Sequence, residues 1–116
     1  MRIEHLALNV NNPAELTEWL CDNLDMRILR QFGNPPNAFF VADSEEHTVL
    51  EISMNPLTLP RAFVADDVAG ARERLLAAGA TSVSDAVKTP GGDELAMVRA
   101  PGGLAIQLMK RATPFV

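Results

Sequence analysis

The chain contains two copies of one pattern, and this internal repeat restricts the folds that are open to it. Residues 3–24 align with residues 58–79, matching Ala7 with Ala62, Glu18 with Glu73 and Leu20 with Leu75. Each copy reads as a strand, a short polar turn and an amphipathic helix, and roughly thirty residues of strand-like sequence follow each. The repeat therefore predicts a duplicated βαβββ module.

The two copies are predicted to share one α+β domain. A length of 116 residues is that of a single domain, and neither copy is long enough to bury a core of its own. We therefore assign residues 1–116 to one domain, with module one at 1–55, module two at 56–116 and the linker beginning at Asn55-Pro56.

Composition and charge exclude several classes of protein. A hydrophobic fraction of 47% with 22% charged residues is typical of a globular chain. We find no apolar run near the roughly 18 residues of a membrane helix, and the N-terminus lacks a signal-peptide core, so a cytoplasmic location without a membrane partner is expected. A net charge of −5 with scattered basic residues argues against nucleic acid. The only cysteine, Cys21, is expected to be a small packing residue.

Apolar spacing, turn residues and capping residues predict the elements. Asn12 and Asp67 are expected to cap the two helices, with Pro13 in the first turn of helix one and Gly79 ending helix two. Trp19 is expected in the core between helix one and the sheet. The predicted helices span about 13–23 and 68–78, and the predicted strands about 2–10, 26–33, 37–43, 47–54, 59–66, 81–88, 93–99 and 104–110.

Alternation along the strands separates an apolar face from a polar one. Leu6, Leu8 and Val10 are predicted to pack under the helix, which turns His5 and Asn9 to the opposite side. In the strand at 47–54, His47, Val49, Glu51 and Ser53 share one face. Glu51 beside apolar neighbours is unusual for a carboxylate without a partner, whereas His47 is expected in solvent beside an acidic turn.

Three segments resemble the vicinal oxygen chelate superfamily, which includes glyoxalase I, bleomycin-resistance proteins, fosfomycin-modifying enzymes and extradiol dioxygenases. They are residues 3–10 (IEHLALNV), 62–68 (AFVADDV) and 100–108 (APGGLAIQL), the last being similar to the closing signature of the family. The resemblance implies two βαβββ modules whose mixed sheet curls around a cleft, as in the glyoxalase-like fold. It also implies a homodimer and a small-molecule ligand. Asn9 and Ser53 flank the same face, where two roles are open to them: to orient a polar ligand, or simply to be hydrated.

The resemblance further implies a divalent metal site with ligands on the first and last strands of the modules. The matching positions here are His5, Glu51, Pro60 and Gln107. His5, Glu51 and Gln107 form a plausible ligand set for zinc, nickel, iron or manganese, but Pro60 has no side-chain donor and an amide replaces the commoner carboxylate. Affinity is therefore expected to be weak, and a metal-free site is the alternative.

The sequence leaves three functions open. In the first, the chain is a metal-dependent lyase or isomerase that acts on a substrate with adjacent oxygens, and Glu51 is the catalytic residue that shuttles a proton. In the second, it is a metal-free protein that binds and sequesters a small molecule, as bleomycin-resistance proteins do. The third is a dimeric scaffold, for which the sequence offers no specific support.

Overall fold

A computed structural model of the chain describes residues 1–54 and 61–115. The predicted linker at Asn55-Pro56 and the Pro60 position lie outside these residues. The chain groups into two compact units. The N-terminal unit is His5–Thr58, and the C-terminal unit combines Met1–Glu4 with Leu59–Val116. The assignment of the modules to one domain stays a prediction.

Within residues 1–54 and 61–115, eight strands and two helices follow one another in the order βαβββ, βαβββ, which confirms the predicted α+β class and the duplicated module. Most predicted bounds agree with the structure within a few residues. Strand β4 begins two residues later than predicted, because His47 and Thr48 belong to the preceding turn: the backbone N–H of His47 donates to Asp43 Oδ1 over 2.8 Å, and that of Asp43 donates to the Thr48 carbonyl over 3.1 Å. The elements are β1 Ile3–Asn9, α1 Pro13–Leu24, β2 Arg27–Gly33, β3 Pro36–Ala42, β4 Val49–Ser53, β5 Arg61–Val64, α2 Val68–Ala77, β6 Thr81–Lys88, β7 Glu94–Arg99 and β8 Ala105–Lys110.

In the N-terminal unit the strands lie in the order β2-β3-β4-β1. Strand β1 pairs with β4 in parallel, while β3 pairs with β2 and β4 in the antiparallel sense. Helix α1 covers one face of this sheet, where Phe39, Val41 and Ile52 form the buried core. Leu16 and Leu20 of the helix pack against that core, so the opposite face of the sheet is left for polar side chains.

Two packing predictions for this unit are wrong. Trp19 is 54% exposed and lies outside the core, because the buried residues of α1 are Pro13 and Thr17. Leu6 and Leu8 are 38% and 40% exposed, since the core beneath α1 is built from β3 and β4. Of the three residues predicted to pack under the helix, Val10 does pack against that core.

The start of α1 forms the predicted cap. Asn12 Oδ1 accepts a hydrogen bond from the backbone N–H of Glu15 over 3.2 Å, and Pro13 occupies the first turn, where a missing N–H costs nothing. The side chain of Glu15 also bonds to Asn12, since its Oε2 accepts a hydrogen bond from Asn12 Nδ2 over 2.9 Å. The entry into the helix is thus fixed by two reciprocal bonds.

In the C-terminal unit the strands lie in the order β5-β8-β7-β6, and β5 pairs with β8 in parallel. Helix α2 packs on a core of Ala65, Val68, Ala71, Ala96 and Leu108. Its ends confirm two predictions. Asp67 Oδ1 caps the Gly70 N–H over 3.0 Å, and Gly79, at a φ of 107°, ends the helix in a Schellman motif in which the next residue donates to the Leu75 carbonyl over 3.0 Å.

A buried ion group ties the C-terminal residues to the start of β1. Arg111 donates to both carboxylate oxygens of Glu4 over 3.0–3.2 Å, and its Nη1 donates to Asp93 Oδ2 over 3.0 Å. Its guanidinium also lies 4.5 Å from the centroid of the Phe115 ring. The side chains of Arg111 and Glu4 are only 10% and 4% exposed, so each charge depends on the other for compensation.

Neither helix in the described part of the chain is long and apolar enough to cross a membrane.

We expect Arg111→Ala to lower the free energy of unfolding by about 3–5 kcal/mol, because it strands the buried Glu4 carboxylate. The matched control is Arg27→Ala, which removes a pair with Glu46 whose two side chains are exposed and should cost about 0–1 kcal/mol. Urea unfolding monitored by circular dichroism measures both. Equal losses in the two variants would contradict the importance assigned to the buried group.

Candidate functional site

Polar side chains collect on the face of the N-terminal sheet that α1 does not cover. Register sets this arrangement: Ala7 lies beside Glu51, and Asn9 lies beside Ser53, in the parallel pair of β1 with β4. Because side chains alternate along a strand, the face with Ala7 and Asn9 also includes His5. Four of the predicted site residues therefore occupy one face, the His5–Glu51 face: His5, Asn9, Glu51 and Ser53.

His5 is the most deeply buried polar side chain of this face, with 2% of its surface exposed. Its ring meets the ring of Phe40 edge to face, with 5.1 Å between centroids and an angle of 85° between the ring planes. Such a contact restricts the orientation of the imidazole. Phe32 makes a second edge-to-face contact with Phe40, with 5.9 Å between the ring centroids. The orientation of the Phe40 ring, which packs on His5, is therefore restricted as well.

Glu51 occupies the middle of β4, the strand between β1 and β3. Its register partners are Ala7 on one side and Phe40 on the other. The residue is half-buried, and both of its register partners are apolar.

Ser53 and Asn9 lie at the end of the same pair of strands. Ser53 is buried, Asn9 is exposed, and the Val10 N–H donates to the Ser53 carbonyl over 2.8 Å, which extends the ladder past Asn9. The two side chains offer a hydroxyl and an amide two residues along the strands from Glu51. Their role in binding a ligand stays a prediction.

Gln107, the third predicted metal ligand, belongs to the C-terminal unit. It lies in the middle of β8 between Ala62 of β5 and Met97 of β7, and it is half-buried. Its neighbours in sequence, Ile106 and Leu108, pack with the α2 core, so Gln107 lies on the face turned away from that helix. Its role as a metal ligand stays a prediction.

The donor set does not fit a tightly held divalent metal. Among the described residues, no group of three or more His, Cys, Asp or Glu side chains is placed to hold a metal ion. His5 and Glu51 supply two such donors, whereas protein metal sites of high affinity commonly use three or four. The family position at Pro60 lies outside the described residues and has no side-chain donor.

Two other singled-out residues are not part of this face. His47 is solvent-exposed as predicted, with Nδ1 3.6 Å from a carboxylate oxygen of Glu45. Cys21 lies on α1, where burial, and to a smaller extent the Asp22 carboxylate, raises the pKa of its thiol. A raised pKa lowers the fraction of thiolate, so Cys21 is a poor nucleophile.

Phe40 is the residue of the site that sequence analysis missed. It stands between two core residues, Phe39 and Val41, and the three read as one continuous apolar run. Alternation along the strand was the available signal, because it turns Phe40 to the side opposite its neighbours. The contact with His5 joins residues far apart in sequence and leaves no local trace.

Comparison with known proteins gives a consistent result. A family model described as Glyoxalase/Bleomycin resistance protein/Dioxygenase superfamily matches residues 2–108. A search of curated proteins finds no match. The fold is similar to that of methylmalonyl-CoA epimerase from Mycobacterium tuberculosis, with a TM-score of 0.77 and 16% identity over 96% of this chain and 88% of that one.

Two further structures share the fold at low identity. The hypothetical protein BH1468 from Bacillus halodurans C-125 has a TM-score of 0.75 and 11% identity, covering 97% of this chain and 95% of its own. The Mn(II)-bound glyoxalase from Novosphingobium aromaticivorans has a TM-score of 0.68 and 20% identity, covering 92% of this chain and 38% of its own. At these identities the similarity shows the fold alone.

The two histidines should differ sharply in chemical reactivity. Diethyl pyrocarbonate should modify the exposed His47 quickly and leave His5 unmodified, because His5 is buried against Phe40. Peptide mass spectrometry after short exposure measures each site. His47→Asn should abolish the fast reaction, and modification of His5 at the rate of His47 would contradict the burial described.

Proposed function

Because the chain belongs to the glyoxalase/bleomycin resistance protein/dioxygenase superfamily, we propose that it binds a small molecule with adjacent oxygens against the His5–Glu51 face and transfers a proton there. The reaction class is that of a lyase or isomerase, with Glu51 as the catalytic residue. The observation behind the proposal is the half-buried Glu51 carboxylate between Ala7 and Phe40, on the same sheet face as the buried imidazole of His5.

The proposed chemistry depends on which proton of the substrate the Glu51 carboxylate can accept. Glu51 accepts the proton of a carbon next to a carbonyl, and the electron pair of that C–H bond forms an enolate. Glu51 then returns the proton to the same carbon, or to the former carbonyl carbon when a hydroxyl on the first carbon gives its own proton to the former carbonyl oxygen. Atoms and charge balance, because the proton leaves and re-enters through one group. Asn9 and Ser53 would orient the oxygens of the substrate from the end of β4.

Weak occupancy by zinc, nickel, iron or manganese at His5, Glu51 and Gln107 remains part of the proposal only as a prediction from family resemblance. The donors described here do not fit a tightly held ion, so no step of the mechanism uses one. Elemental analysis of the purified protein, with calorimetric titration of each ion, would measure the affinity directly. A stoichiometric ion after purification would overturn the expectation of weak binding.

Proton transfer can be tested without knowing the product. Methylmalonyl-CoA and the hemithioacetal of methylglyoxal and glutathione should gain deuterium at the carbon beside the carbonyl when incubated with the protein in D2O, measured by mass spectrometry. The first probe is chosen because several structures that share the fold are methylmalonyl-CoA epimerases. Glu51→Gln should lower the rate about 100-fold or more, because it removes the base.

The matched control is Glu45→Gln, which changes an exposed carboxylate beside His47 and should leave the exchange rate unchanged. Binding of the probe by Glu51→Gln, measured by calorimetry, separates loss of chemistry from loss of the site. No exchange above the buffer rate with either probe would contradict this first function.

A second function is favoured by the small number of metal donors. In this alternative the face holds a small molecule without transforming it, as a sequestration protein does. Such a protein should raise its melting temperature with a compound from an antibiotic-like library while showing no exchange. Retention of that shift in Glu51→Gln with loss in Phe40→Ala would assign the face to binding alone.

We further infer a homodimer in the cytoplasm, as the sequence analysis expects. Light scattering at several concentrations measures the assembly.

A further inference from the structure

We propose that a groove along one side of α1 is a second ligand site, selective for a hydrophobic organic cation. A groove of about 370 Å³ lies along this helix, with Val10, Leu16 and Trp19 as its apolar lining and Asn12 and Glu15 at its polar end. The groove belongs to the N-terminal unit alone. It lies on the α1 side of that sheet, opposite the His5–Glu51 face, and therefore does not depend on the proposed function.

Trp19 supplies a surface for a cation to stack on. Its indole is the only one in the chain and is 54% exposed, although apolar spacing predicts it in the core. Leu16 beside it packs inward against the core, so the floor of the groove is anchored. An exposed indole face next to fixed apolar walls attracts organic cations, because the ring presents negative potential to them.

Glu15 supplies the counter-charge in a fixed position. Its backbone N–H donates to Asn12 Oδ1, and Asn12 Nδ2 donates to Glu15 Oε2 over 2.9 Å. No described residue donates a hydrogen bond to the other carboxylate oxygen, Oε1, so this oxygen is available to the ligand. A carboxylate held by the helix cap loses little conformational freedom on binding.

Charge decides which occupant the groove accepts. Helix α1 contains Glu15, Glu18 and Asp22 and no lysine or arginine, and Asp25 follows at its C-cap. An anionic ligand would be repelled. A second copy of this chain paired helix to helix would bring acidic side chains against one another, which costs free energy. The volume of about 370 Å³ lies in the range of small-molecule sites.

Fluorescence of Trp19 tests the proposal directly, because no other indole contributes. Benzyltrimethylammonium should quench or shift the emission with a saturating curve, and phenylmethanesulfonate, of similar size and opposite charge, should not. Absence of saturation up to tens of millimolar, or equal binding of both probes, would overturn the proposal.

Two variants on the same helix provide matched evidence. Glu15→Gln keeps a capping side chain while removing the charge, and it should weaken the cation about fivefold. Glu18→Gln removes an exposed charge that does not line the groove and should change affinity less than twofold. Equal effects of the two would show only general attraction to an acidic surface and would refute the site.

Trp19→Leu should weaken binding about tenfold by calorimetry, because the aromatic face is lost while the apolar volume is largely kept. Sedimentation of the wild-type chain and of Trp19→Lys tests whether a second copy of the chain occupies the groove instead. Self-association that disappears in Trp19→Lys would assign the groove to a second copy and overturn the cation site. A negative outcome in these binding experiments does not change what the deuterium-exchange assay shows about Glu51.

Discussion

The parallel pairing of β1 with β4 is the constraint on which the arrangement of the N-terminal unit depends. It sets Ala7 beside Glu51 and Asn9 beside Ser53, and the alternation of side chains then divides the sheet into two faces. One face supplies the apolar core under α1, centred on Val41 and Ile52. The other receives the polar residues. Strand β4 lies between β1 and β3, so the carboxylate at its middle is bordered by backbone on both sides. The same pairing recurs between β5 and β8, where Gln107 takes the central position.

Features determined by residues close together in sequence could be predicted from it. The caps at Asn12 and Asp67 and the glycine that ends α2 depend on groups at most a few residues away, and all three are present. Strand bounds were also close, because alternation and turn residues are local signals. The packing of Trp19 could not be predicted in this way. Apolar spacing shows that a helix has a buried stripe, but the width of that stripe depends on which strands the helix covers.

The candidate site was predictable in part for the same reason. Alternation alone places His5 and Asn9 on one face, and Glu51 and Ser53 on one face, while the register that unites the pairs requires the fold. Phe40 was missed because its contact with His5 crosses β4, and the Arg111–Glu4 pair because 107 positions separate its members. Charged residues so far apart leave no mark in composition. The repeated pattern could be found in the sequence, whereas the contacts between distant residues had to be seen in three dimensions.

The neighbouring residues Glu4 and His5 have a consequence for folding fidelity. They adjoin on β1 and point in opposite directions, and each makes a contact that the other could not replace: a buried carboxylate against Arg111, and an imidazole edge against Phe40. If β1 slipped by one position so that Glu4 took the place of His5, the side chains would exchange faces. The guanidinium would then lose its carboxylate, and a charge would lie against an aromatic ring. Misregistered chains are therefore penalised twice at the same point. Two adjacent residues near the beginning of the chain therefore favour the native register of β1, the strand that both contacts require.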